Sequence, residues 1–364
     1  MFRPLDDVNI IRNNFGLILE GNKDFYVSFR VRSTNHAEML VSKGKSGTGT
    51  NFRVGSLPQN SEGAARNFVA SIMATEDNTI VAVSDYDTDV VFASSTGNIT
   101  SDTQNFVLNS GESVILSGYT DTPANLTGFI GANITSDKPI AVNTGNALAG
   151  MMSAFDGQDF NLDQIVPVEK VGNEYVVVKG NGSDNTERPL VIATEDNTNI
   201  YINDSTIPIT NLNAGDYYLA PTSFYQGTNN QNMYIKSDKP VYLYQIIAGD
   251  ISDATSGLNF IPPLSCYWQK SVDLIPSINS IGFTQYTGEI IAVKHSGSIV
   301  LVNNVPTSAL PQAVLGNNEW VTYRISNTVG DVKIESDGPL AVGVFGSSGF
   351  AGYGGYYSGF GSIP

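Results

Sequence analysis

A single cysteine in 364 residues, Cys266, removes any disulfide framework and any thiolate zinc site from consideration. Two histidines, His36 and His295, leave few side chains for general-base chemistry or metal ligation near neutral pH. Basic residues are also scarce: 19 Lys and Arg stand against 35 Asp and Glu, a formal charge of −16. That balance argues against a nucleic-acid partner, which needs a basic footprint for phosphates, and against an anionic membrane surface. No run of about 18 apolar residues occurs, so the sequence predicts no membrane insertion. Charged residues make up only 15% of the chain against the ~25% usual for globular proteins, so Asn, Ser, Thr and Gly must supply the polar surface. Such a composition suits strands and turns better than solvated helices.

What is present is repetition. Ser136-Asp137-Lys138-Pro139, Ser237-Asp238-Lys239-Pro240 and Ser336-Asp337-Gly338-Pro339 recur about 100 residues apart, each between two alternating apolar stretches. A strand on either side of an Asp-x-Pro step reads as a hairpin with a tight turn. A second motif interleaves with the first: Ala74-Thr75-Glu76-Asp77-Asn78-Thr79 returns as Ala193-Thr194-Glu195-Asp196-Asn197-Thr198, with a degenerate third copy around Lys294-His295-Ser296-Gly297. Behind these come Leu108-Asn109-Ser110-Gly111-Glu112, Leu212-Asn213-Ala214-Gly215-Asp216 and the weaker Leu315-Gly316-Asn317.

Two all-β architectures fit this pattern. Two hairpins in each 40–50 residues match the four-stranded blade of a β-propeller, giving six or seven blades of alternating type. The even alternation and the lack of a Pro/Gly/Ser linker favour this reading, with the last blade completed by an N-terminal strand near Asp24 to Phe29. The alternative is tandem β-sandwiches, since each repeat of about 100 residues also holds enough strands for one. Either way the expectation is an N-terminal segment, 1–14, followed by one repeat domain, 15–364. The opening Met1 to Asp7 does not read as a secretory signal, and the repeats point to a piece of a larger secreted or cell-surface protein.

The order and recurrence of these motifs resemble the N-terminal domain of the IgG Fc-binding protein family, found in animal mucus proteins and in secreted bacterial proteins. The likeness rests on Ile192 to Thr198, Asn211 to Gly215, the Ser-Asp-Lys-Pro-Ile-Ala-Val run from Ser136 to Val142, and Asp163-Gln164-Ile165-Val166-Pro167. The variant here, with Tyr26 to Phe29 and Glu187 to Val191, is similar to those of bacterial adhesin-like proteins. The resemblance implies a non-catalytic extracellular module whose partner is a glycan or a protein, and it assigns IgG binding to no particular residue.

Candidate sites are few. The paired acids Glu76-Asp77 and Glu195-Asp196 resemble a glycosidase pair, but they recur with the repeat, as turn-capping residues would and a unique catalytic pair would not. Asp85, Asp87 and Asp89 alternate, and Asp156, Asp159 and Asp163 form a second oxygen-rich cluster; both are candidate calcium sites, although the first lacks the Gly and Glu of an EF-hand loop. His295 and His36 read as loop histidines, and Cys266 as a packed small residue. Near the C-terminus, Tyr353, Tyr356 and Tyr357 alternate with glycines. They are either ligand-stacking aromatics or the filling of a seam between the last repeat and the N-terminal strand. The functional readings are a binding or adhesion module, a propeller glycosidase or lyase, and a structural spacer.

Overall fold

The computed structural model describes residues 7–151, 157–251 and 255–360. It is all-β, with 27 strands and only short 3-10 turns between them. An N-terminal hairpin, β1 (Ser28–Ser33) and β2 (His36–Val41), precedes three units of equivalent topology. The first contains β3 (Thr48–Arg53), β4 (Asn67–Ala74), β5 (Thr79–Ser84), β6 (Gln104–Leu108), β7 (Ser113–Tyr119), β8 (Asn133–Ala149) and β9 (Asp159–Gln164). The second contains β10 (Gly172–Val178), β11 (Leu190–Ala193), β12 (Thr198–Ile202), β13 (Thr210–Leu212), β14 (Tyr217–Leu219), β15 (Asn232–Gln245) and β16 (Asn259–Phe260). The third adds short strands to the same plan: β17 (Ser271–Ile275), β18 (Ser280–Ile281), β19 (Thr284–Gln285), β20 (Glu289–His295), β21 (Val300–Val302), β22 (Val305–Pro306), β23 (Gln312–Ala313), β24 (Trp320–Ile325), β25 (Val332–Ser336), β26 (Leu340–Ser348) and β27 (Ala351–Tyr356).

The pairing differs from the expected hairpins. The Ser-Asp-Lys-Pro motif does not turn the chain back; it lies inside one long strand, β8, and again inside β15. Asn133 to Ser136 of β8 pair with β5, while Ile140 to Gly145 pair with β4, so the strand bends and passes from one half-sheet to another. Likewise β4 and β5 do not pair with each other, and the Thr-Glu-Asp-Asn-Thr segment between them is the matching bend on the neighbouring strand. A propeller blade is a meander whose consecutive strands pair. Here each repeat is instead a sheet folded at a corner into two halves, which is how strands that switch sheets build sandwich-like packing. The all-β expectation holds, in strongly bent, barrel-like sheets, and the strand pairing does not reproduce the expected blades.

The side chains explain the bend. Pro139 brings no N–H, and the ladder is interrupted from Asp137 to Pro139. Asp137 Oδ1 accepts the Ile80 amide at 2.7 Å, Thr75 Oγ1 donates to the Pro139 carbonyl at 2.6 Å, and Lys138 Nζ donates to the Asp77 carbonyl. The second unit repeats every contact: Asp238 with the Asn199 amide at 2.8 Å, Thr194 with Pro240 at 2.6 Å, and Lys239 with the Asp196 carbonyl. In the third, Asp337 takes the Ile299 amide at 2.8 Å, while Gly338 stands in the lysine position and Lys294 approaches from the other strand, donating to the carbonyls of His295 and Ser298 at 2.9 and 2.6 Å. Asn78 and Asn197 hold φ of 54° and 55°; the third copy places Gly297 there, at 85°. The two sequence motifs are thus the two sides of one clasp.

Strand alternation divides the core. In β11, Val191 and Ala193 face the interior of the second unit, whereas Leu190 and Ile192, with Tyr242 and Tyr244 of β15, pack into the first. The third unit does the same: Ile291, Val293, Ala341 and Phe345 cover the second, while Ile290, Ala292, Val342 and Val344 line its own interior. That last interior is covered by Ala37, Met39 and Val41 of β2. The expected N-terminal closure therefore exists, but it is made by the packed face of β2 rather than by a strand at 24–29. The final strands β9 and β27 both lie against β2.

Candidate functional site

The first two units touch at a glycine pair. A Cβ on Gly131, whose φ is +79°, would stand 1.8 Å from the Gly215 carbonyl oxygen, so only glycine permits this approach. Beside the seam opens a cleft of about 730 Å³ lined by Asp85, Asp87, Asp196, Asp216, Tyr217 and Ile130, among others. The clasp positions two of these acids: Asp196 Oδ1 accepts the Ala214 amide at 3.0 Å, and Asp216 Oδ2 accepts the Asn213 amide at 2.9 Å. Asp85, at φ 58°, pairs with Arg53 Nη1 at 2.9 Å, and the same nitrogen reaches the Gly131 carbonyl at 3.1 Å. Asp87 Oδ1 takes the Asp89 amide at 2.9 Å. Four carboxylates around one open concavity focus negative potential, which suits a cationic or hydroxyl-rich group better than an anion.

Two predicted groups converge here that the sequence kept apart: the alternating acids Asp85 and Asp87, and the repeated turn acid Asp196. They do not make a metal centre. Among the described residues, no group of three or more His, Cys, Asp or Glu side chains is placed to hold a metal ion. In the expected calcium set, Asp159 and Asp163 turn their oxygens to main-chain amides and to Lys43. Asp159 accepts the amides of Ala37, Phe160 and Gly352 at 3.0, 2.9 and 3.1 Å, and Asp163 accepts those of Gln164 and Phe260 at 2.8 and 3.0 Å as well as Lys43. Asp156 lies outside the described residues, and Asp89 stays on the exposed side of its loop.

The tyrosines fill the seam. Tyr353, Tyr356 and Tyr357 are 3%, 2% and 4% exposed, so none offers a ring face to an outside ligand. Tyr356 Oη donates to Gln245 Oε1 at 2.9 Å, and Arg30 of the hairpin donates to Tyr357 Oη at 3.0 Å. Asp77 repeats the turn contact of Asp196, taking the Ser110 amide at 3.0 Å, as turn-capping acids should. Cys266, expected to be packed, is exposed.

Sequence reasoning missed the buried charges. Glu38, Asp159, Asp163 and Lys43 are almost wholly buried where β2 meets β9, and burial holds the Glu38 and Asp159 carboxyls well above the usual carboxylate range. Glu187, also fully buried, is pushed by burial up to about 7, although it accepts amides from Gly180, Gly182 and Ala248 at 3.2, 3.1 and 2.8 Å. The only sequence signal for such sites is an acid or lysine set beside apolar strand residues.

No helix among the described residues is long and apolar enough to cross a membrane. No curated protein matches the chain, and no solved structure does. A family model described as IgGFc binding protein matches residues 37–346, from the covering face of β2 to the middle of β26. With the first two units and the third as far as β26 inside that match, the chain belongs to the IgGFc binding protein family.

Proposed function

We propose that this chain is a non-catalytic binding module of a secreted or cell-surface protein, which contacts a protein or glycan through the loops bordering the cleft between its first two units. Family membership carries the reading, because the family is one of binding proteins. The cleft supports it physically: four aspartates lie beside Tyr217 in a concavity open to solvent. Such a surface attracts lysine and arginine side chains or amino sugars from a partner and positions them by hydrogen bonds.

The test is a glycan array and an immunoglobulin Fc titration on the same chain, with a hydrolysis assay on every glycan bound. Binding without turnover is expected, weakened at least tenfold in the Asp87→Asn/Asp216→Asn double variant, which keeps the hydrogen-bond acceptors but removes two charges. Turnover of a bound glycan would move the chain to the glycosidase reading. Absence of any binding would leave it a spacer.

A further inference from the structure

Lys43 is an enclosed cation, with a side-chain exposure of 0% against 1% for its partner Asp163. Its Nζ stands 3.0 Å from both Asp163 Oδ1 and Oδ2, and 4.5 Å over the Phe360 ring. The two residues are 120 positions apart, one following β2 and the other on β9. Two main-chain amides also point at the same carboxyl: Gln164 N–H at 2.8 Å from Oδ1, and Phe260 N–H at 3.0 Å from Oδ2. An amine beside a carboxyl, walled by an aromatic ring and held by two N–H donors, has the parts of an acyl-transfer site.

We propose that Lys43 and Asp163 condense into an intramolecular amide, an isopeptide cross-link between the segment after β2 and strand β9. The balance needs no outside reagent. The ammonium proton passes to an Asp163 oxygen, leaving a neutral amine beside a neutral acid. Burial favours this transfer, since it lowers the lysine and raises the aspartic acid. Equidistance from both oxygens sets the nitrogen within the ~3–3.5 Å at which attack on the carbon between them begins. Rotation about Cβ–Cγ turns the carboxyl face to the nitrogen. The C–N bond forms and negative charge collects on Oδ1, where the Gln164 amide holds it as an oxyanion-hole donor does. The other oxygen takes a proton from nitrogen and leaves as water, so one C–O bond breaks for the C–N bond made.

The experiment is the intact mass of the full chain under denaturing conditions, followed by a tryptic map. The expected result is a mass one water below that of the sequence, with a branched peptide joining Lys43 to Asp163 and no cleavage after Lys43. Lys43→Arg and Asp163→Ala should both return to the full sequence mass. Asp163→Asn should lose one ammonia instead, because an amide donor releases ammonia. A wild-type chain at full sequence mass, with the two peptides recovered separately, would overturn the proposal and leave an ordinary ion pair. Loss of one water mapped to any other residue pair would overturn it equally.

Discussion

Glu187 offers the clearest quantitative handle on the fold. Its carboxyl is enclosed by the turn at 180–187 and by Ala248, and burial outweighs three main-chain N–H donors, raising it from the ordinary 4.5 to about 7. Between pH 4.5 and 7 the folded chain keeps a proton that the unfolded chain has released. Stability from this group is therefore full below about pH 4.5 and gone above about pH 7. The difference is worth about 3 kcal/mol, from ~1.4 kcal/mol for each tenfold change in proton affinity. The perturbation is Glu187→Gln, which fills the same space but does not titrate. Urea unfolding of both proteins at several pH values from 4.5 to 8 gives their stability difference, from which the other buried carboxyls cancel. Wild type should lose about 3 kcal/mol relative to the variant over that range. A difference that stays flat, or that rises with pH, would refute the reasoning, since it would mean that the amide donors win over burial.

Three further outcomes follow from the clasp and the seams. Asp238→Ala removes acceptors for the Asn199 amide at 2.8 Å and for Asn199 Nδ2 at 2.7 Å, and should cost about 1–2 kcal/mol in urea unfolding. No ligand effect should accompany it, and an unchanged midpoint would deny the clasp its structural role. Gly131→Ala forces a methyl into the Gly215 carbonyl at a left-handed backbone position and should cost roughly 2 kcal/mol or more, read as a lowered thermal midpoint; a neutral result would mean that the two units do not meet there. Tyr356→Phe removes one buried hydrogen bond to Gln245 and should cost about 1 kcal/mol while leaving glycan or Fc binding untouched; a selective loss of binding would return this tyrosine to the ligand surface.

The all-β class, the three copies and the turn chemistry of the repeated aspartates are legible in the sequence, because each repeat spends the same Asp, Asn, Gly and Pro at the same points. The direction of the chain through those points is not. A bend within one strand and a hairpin between two look alike from either flank: both show period-2 alternation on each side of a Ser-Asp-x-Pro step. What separates them is the partner strand, and β4 and β5 contact β8 from about fifty residues away or more. The buried charges escape for the same reason. Lys43 stands between Ser42 and Gly44 with nothing nearby in sequence to mark it as buried, and only the fold brings Asp163 to it. The tyrosine seam was half legible: glycine alternation shows that β27 is closely approached, but not that Met39 and Val41 are what approach Gly355.

The N-terminal hairpin also has a consequence for how such a chain can be made and varied. Repeats that hand an outer face to the preceding neighbour could be strung out indefinitely, as in solenoids that grow by adding copies. Here the last interior is covered by β2, which precedes all three units along the chain, and β2 also lies against β9 of the opening unit. The interior that a following copy would cover, as the second unit covers the first, is thus already covered by β2. The third unit completes its core by reaching back to residues made far earlier, as Tyr357 does to Met39 across 318 positions. Synthesis in the N-to-C direction leaves the hairpin waiting for its partner until the third unit has emerged.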